Sequence, residues 1–156
     1  MLVQMEQNPV YNHVPDLCLF GLGAAAGASA WLLPWTVVLP GWLRLVGGAF
    51  VVAAALAIGA VLGALRRAAT STNPVDEPTE LLTYGPFGLS RNPLYLAYVL
   101  ALLGCALASG SWAALLCPLV SFAVLNWLII PIEERALLRA FGDGYGRYRR
   151  RVRRWL

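Results

Sequence analysis

Three long stretches of this sequence carry no Asp, Glu, Lys or Arg: 27 residues between Asp16 and Arg44, 21 between Arg44 and Arg66, and 41 between Arg91 and Glu133. A soluble domain rarely leaves such runs uncharged, whereas about 20 apolar residues in a helix cross the hydrocarbon core of a bilayer. The first run predicts a helix over residues 17–35, ended by Pro34 and Pro40, and the second a helix over 45–65. The third is long enough for two, at 93–108 and 112–130, folded back at Ser109-Gly110-Ser111. Residues 93–108 are short for a span, so tilt or local thinning of the bilayer must cover the mismatch. The chain as a whole is 59% apolar and 13% charged, against roughly 45–50% and 25% in soluble domains. The expected fold is therefore all-α and integral to a membrane, with about four transmembrane helices, a C-terminal amphipathic helix and a basic tail. As one membrane domain, residues 1–65 supply two N-terminal spans, 66–93 a cytoplasmic loop, and 94–156 a helical hairpin with the tail.

Charge placement orients this arrangement. The net charge is +4, with twelve Arg and no Lys. Residues 135–156 hold eight Arg against Asp143 alone, and Arg66, Arg67 and Arg91 lie in the long loop. Four spans put eleven of the twelve Arg on one side, which the positive-inside tendency makes cytoplasmic, together with both termini. In a bacterium that membrane is the plasma (inner) membrane. Trp31, Trp35, Trp42 and Trp112 collect near the opposite interface, as aromatic anchors do.

Several features read as structure. Gly23/Gly27 and Gly59/Gly63 have the spacing that lets helices approach closely. Cys18, Cys105 and Cys117 sit in apolar runs at spacings that match no metal or thioredoxin site, and read as small buried apolar residues. Ala28-Ser29-Ala30 resembles a signal-peptidase site, but no basic residue precedes it, so the first helix is expected to be kept. His13, the single histidine, reads as interfacial. There is no P-loop, HExxH, GxSxG or strand-associated GxGxxG, and no metal site is expected.

The loop is where chemistry is expected, because 28 residues is long for a chain that otherwise turns tightly. Its first half, 66–78, is polar; its second half, from Thr79 to Leu89, mixes apolar, aromatic and turn-forming residues like an ordered segment. Ser90-Arg91-Asn92-Pro93-Leu94-Tyr95 then opens a helix, with Asn92 placed as N-cap and Pro93 in the first turn. This is either a capped helix with Arg91 among headgroups or an anion site in which Arg91 grips a carboxylate. Glu133 and Glu134 follow the last span. They either pair with Arg135 and Arg139 or meet a cationic ligand. Beyond them Gly142 looks like a helix C-cap, and the arginines at 149–151, 153 and 154 suit anionic lipid better than nucleic acid.

In order, the chain presents a Gly-Pro-aromatic turn, Arg-x-Pro-x-Tyr opening a helix, a helical hairpin, Glu-Glu, and Phe-Gly-x-x-Tyr-x-x-Tyr with a basic end. This combination, over residues 79–152, resembles the isoprenylcysteine carboxyl methyltransferase and phospholipid methyltransferase superfamily of integral-membrane enzymes. The resemblance implies an S-adenosylmethionine-dependent methyltransferase acting on a lipophilic acceptor: a phospholipid amine, a thiol or a prenyl-type group. It carries cofactor binding onto Phe87, Arg91, Asn92, Pro93, Leu94 and Tyr95, onto Glu133 and Glu134, and onto Glu80, Leu81 and Leu82 beside the adenosine. It assigns no catalytic residue. Phe87 and Asn92 replace the family's Tyr and His, which puts any imidazole role in doubt. Asn126-Trp127-Leu128-Ile129-Ile130 lacks the basic residue that serves a prenylcysteine carboxylate. The alternatives are a non-enzymatic lipid-binding or assembly protein and an NADPH-dependent membrane reductase.

Overall fold

The computed structural model describes residues 39–71 and 81–156, with side chains in the first segment through Ala68. The expected first helix, with Gly23, Gly27, Trp31 and Trp35, lies outside the described residues, as do His13, Cys18 and Glu80. The described chain is helical and contains no strand. Helix α1 runs Gly41–Ser71, the short α2 Pro86–Leu89, and α3 Pro93–Ser109. A 3-10 turn, Ala113–Leu115, leads into α4, Leu116–Val124, which continues through a π-helical turn, Leu125–Ile129, into α5, Ile130–Arg151.

Two helical stretches, Gly41–Ala68 and Ala113–Arg151, are long and apolar enough to cross a membrane; Pro93–Ser109 is apolar but shorter. A core helix of a soluble protein would bury its leucines. Here Leu45 is 79% exposed, Leu56 70% and Leu119 65%, so the apolar faces of α1 and α4 point outward, as lipid-facing surfaces do. α1 outlasts the expected 45–65 because Arg66 and Arg67 mark where apolar solvent ends, and charge at that depth does not interrupt backbone hydrogen bonding.

α1 and α3 pack antiparallel on small residues, with Ala54, Val61 and Ala64 of α1 and Ala97 and Ala106 of α3 all buried. The closest approach is at Gly47 and Gly104. A Cβ at Gly104 would stand 2.8 Å from the Gly47 carbonyl oxygen, and one at Gly47 2.6 Å from the Gly104 oxygen. Among the described residues the expected contact at Gly59/Gly63 is not made: a methyl group at Gly59 would meet none of them within 4 Å, and one at Gly63 only the tip of Arg67. The register of α1 on α3 turns those two away from α3. Gly59→Ala is therefore expected to raise stability by about 0.5–1 kcal/mol through helix propensity alone, measured as the unfolding midpoint in detergent; a lowered midpoint would mean that residue 59 faces a partner.

At the far end of the pair, the Leu39 N–H donates to the Gly110 oxygen at 2.8 Å, and Gly110 takes the left-handed conformation (φ 74°) that closes α3. Trp42 and Trp112 are both exposed near this end, in keeping with a shared interfacial anchor. Of the cysteines, Cys105 is exposed and Cys117 half-buried. The buried-filler reading is thus corrected for Cys105, since an apolar run facing outward places its small residues outward too.

Pro131 does not separate the last span from a new helix, as the expected boundary at 130 implies. The helix is continuous, because Pro131 occupies the first turn of α5 and the ladder ahead of it widens. The Ile130 N–H reaches back five residues to Leu125. In that register the next donor would be residue 131, bonding to Asn126, and proline has no N–H to give. The Asn126 carbonyl is thereby freed for another partner. Gly142 (φ 49°, ψ −124°) divides α5 into two helical segments joined at a kink, so a positive-φ glycine closes the first segment where the sequence places a C-cap.

Candidate functional site

The end of the molecule that carries Arg91 and the start of α3 holds a pocket of about 240 Å3, lined by Val61, Leu65, Phe87, Arg91, Asn92, Pro93, Leu94, Tyr95 and Glu133. Seven of the residues singled out in the sequence therefore meet in one cavity. Leu81, Leu82 and Glu134 are described but do not line it. The volume is below the roughly 300–1,000 Å3 of small-molecule sites.

Local folding explains how these side chains converge. Gly85, with φ 60°, lets the chain turn into α2 ahead of Pro86, and α2 in turn presents Phe87. Tyr148 of α5 fixes this turn by donating its hydroxyl to the Phe87 carbonyl at 2.7 Å. Asn92 does stand at the N-cap position of α3, but its side chain makes no capping bond. Its amide Nδ2 donates instead to the Arg154 carbonyl, at 3.0 Å. The expected Asn cap is corrected accordingly: a cap would use Oδ1 to accept from a first-turn N–H, and the side chain is held instead by its Nδ2 bond to the Arg154 carbonyl.

The two glutamates face different partners. Glu133 reaches the pocket and accepts a hydrogen bond from the Tyr95 hydroxyl. Glu134 turns away into the protein, 8% exposed, between Arg91 (Nη1–Oε1, 3.0 Å) and Arg154 (Nη2–Oε2, 2.8 Å). Arg135, an expected partner, donates instead to the Pro131 carbonyl one turn back. Arg91 engages Glu134 and the Tyr145 hydroxyl, at 3.5 Å, through Nη1. Its Nε is buried with no acceptor. An unpaired buried guanidinium N–H costs about 1–3 kcal/mol, and this one belongs to a residue that also lines the pocket.

Beyond the Gly142 kink, in the arginine-rich end of α5 past the apolar part of that stretch, Tyr145 and Tyr148 back the site. Burial pushes the Tyr145 phenol up, reinforced by the Glu134 charge, and burial followed by Tyr145 pushes Tyr148 up to about 12. Both act as neutral hydroxyls. Arg154 is held still more firmly as a cation, first through its hydrogen bonds to Glu134.

Sequence reasoning missed Val61 and Leu65, which carry no signal beyond being apolar, and Asn126. An amide inside a 41-residue uncharged run is itself a signal, since at membrane depth it needs a partner. Asn126 finds two, accepting at Oδ1 from Arg154 and from Trp155 Nε1 at 3.1 Å. Among the described residues no group of three or more His, Cys, Asp or Glu is placed to hold a metal ion.

Residues 42–144, most of the chain, match the phospholipid methyltransferase family. The chain belongs to that family. It thereby joins the integral-membrane superfamily that also includes the isoprenylcysteine carboxyl methyltransferases. This phospholipid methyltransferase family member is 41% identical over 63 residues to an uncharacterized protein of Haemophilus influenzae, a match covering 40% of the chain and all of that protein. It is 35% identical over 72 residues to the cobalt-zinc-cadmium resistance protein CzcN of Cupriavidus metallidurans, covering 46% of the chain and only 33% of CzcN. No solved structure is significantly similar to it. The family match spans α1 through the Gly142 kink, and so takes in every residue that lines the pocket.

Proposed function

We propose that this protein is an S-adenosylmethionine-dependent methyltransferase of the membrane, acting on a small lipophilic acceptor. One observation carries the reading: a single pocket is lined by both Arg91, whose buried Nε lacks a partner, and Glu133. Opposite charges in one cavity suit a ligand end that is both carboxylate and ammonium. Arg91 would hold the carboxylate and Glu133 the ammonium, while Phe87, Pro93 and Leu94 supply apolar contact for the rest. When bound, the cofactor supplies an electrophilic methyl group on a sulfonium, so the protein needs no covalent nucleophile.

What the chain contributes is alignment and exclusion of water. Val61 and Leu65 close the pocket from the α1 side, and Tyr148 holds the Phe87 turn against it. An acceptor with an apolar body reaches the cavity from the bilayer beside α1. The proposed topology is four spans in a single membrane domain with cytoplasmic termini. Exposed Arg147, Arg149, Arg150, Arg151 and Arg153 then face anionic headgroups, at about 1 kcal/mol each. Nothing observed in this chain favours a reading toward metal ions, which the CzcN name says of that protein alone.

Calorimetric titration of S-adenosylhomocysteine into the detergent-purified protein, with NADPH in parallel, tests the reading. Saturable binding of the first alone is expected. Glu133→Gln keeps an oxygen for Tyr95 but loses the charge, and is expected to weaken binding by about tenfold or more, the worth of a charge-assisted hydrogen bond; unchanged affinity would remove Glu133 from the site. NADPH binding alone would indicate a reductase, and binding of neither by folded protein a non-enzymatic role.

A further inference from the structure

The segment following α5 does not project toward solvent as a basic tail. It crosses back over the start of α3. The Arg91 N–H donates to the Arg153 carbonyl at 3.0 Å, while the Arg154 carbonyl accepts from Ser90 Oγ at 3.1 Å and from Asn92 Nδ2 at 3.0 Å. Three consecutive residues at the mouth of the pocket are thus tied to two consecutive carbonyls. The Arg154 side chain extends the other way, to both oxygens of Glu134 and to the Asn126 carbonyl at 3.2 Å. That carbonyl is the one left open by Pro131. Trp155 completes the tie, with its ring 4.8 Å from that of Phe122.

We propose that Arg154 is a positioning residue for Arg91, and that residues 153–155 form a strap which sets the carboxylate-binding geometry of the pocket. Glu134 is shared by the two arginines. Arg154 holds both of its oxygens from the far side, Nε at Oε1 and Nη2 at Oε2, and is itself anchored on Asn126, so Oε1, which the two arginines share, is presented to Arg91 Nη1 in one orientation. With Nη1 engaged and the backbone of Arg91 bonded to the strap, the guanidinium cannot swing away from the pocket that Arg91 lines. Without Arg154, Glu134 is free to chelate Arg91 through both oxygens and draw the guanidinium off the ligand. Arg154 touches no ligand in this account; its effect passes entirely through Glu134 and Arg91.

The inference rests on the proposed cofactor reading, and two ligands separate the two. S-Adenosylhomocysteine carries the amino-acid carboxylate, whereas 5′-methylthioadenosine has the same nucleoside and sulfur without it. In Arg154→Gln, affinity for S-adenosylhomocysteine is expected to fall about 10- to 30-fold, the scale of one charge-assisted hydrogen bond, with 5′-methylthioadenosine changed less than about twofold. Arg154→Lys, which keeps a charge opposite Glu134 but not the paired geometry, is expected to recover part of the loss; it also serves if the glutamine variant does not fold. Equal losses for both ligands would mean that the strap only supports the fold, and no loss for either that Arg91 needs no positioning; each result overturns the proposal while leaving the cofactor reading intact. Failure of the wild-type protein to bind either ligand overturns both.

Discussion

Replacing Arg91 with alanine is expected to lower the affinity for S-adenosylhomocysteine by about 100-fold, and to do so in a protein that still folds. The magnitude follows from removing a charge-assisted contact, worth about 1.5–3 kcal/mol, from a cavity where nothing else described offers a guanidinium. Folding survives because Glu134 keeps Arg154 at 2.8 Å, so the buried carboxylate is not left bare, the event that makes broken buried pairs costly. Arg91→Lys is expected to rescue little. An ammonium cannot serve Glu134, the Tyr145 hydroxyl and a ligand carboxylate from the fixed directions of a guanidinium. Calorimetry on the two variants, with intrinsic fluorescence and unfolding midpoints as controls, measures this; wild-type affinity in Arg91→Ala would take the ligand carboxylate away from α3 altogether.

Gly104→Leu is expected to have the largest effect on stability. The added Cβ falls 2.8 Å from both the Gly47 oxygen and the Val51 nitrogen. These are backbone atoms of a helix, and no rotamer change moves them aside. α1 and α3 must separate, at about 3 kcal/mol, the upper part of the overpacking range. The consequence also reaches the site. Val61 and Leu65 lie 14 and 18 residues beyond Gly47 on the same helix, so parting the helices at one end opens the pocket wall at the other. A lowered unfolding midpoint together with weakened ligand binding is the expected pair of results; a Gly104→Leu protein as stable as wild type would show that the helices do not meet there.

The sequence made the pocket more legible than the packing that supports it. Arg91, Pro93, Tyr95 and Glu133 stand out because polar and turn-forming residues are conspicuous in an apolar chain, and the ends of α3 follow from Pro93 and Gly110. The Gly47–Gly104 contact is invisible for the opposite reason. Close approach needs only one small residue facing another, and the partner here lies 57 positions away, while the regular Gly59/Gly63 spacing draws attention to a face that α3 does not touch. The strap is obscured by its own composition. Arg153 and Arg154 read as two more members of a basic run, and nothing local shows that one of them turns inward while its neighbours stay exposed. The continuous helix through Pro131 likewise requires knowing that a π-helical turn absorbs the missing donor.

The ties from Ser90 and Asn92 to Arg154 span 64 and 62 residues. Translation proceeds at about 5–20 residues per second, so the start of α3 waits several seconds after its synthesis for the chain that will fasten it. During that interval α3, α4 and all of α5 are made, and Arg91 has neither Arg154 to share its carboxylate nor the Arg153 carbonyl to hold its backbone. The pocket therefore matures late: a ribosome-bound chain can already have its apolar helices made, yet Arg91 is fastened in place only when residues 153–155 emerge.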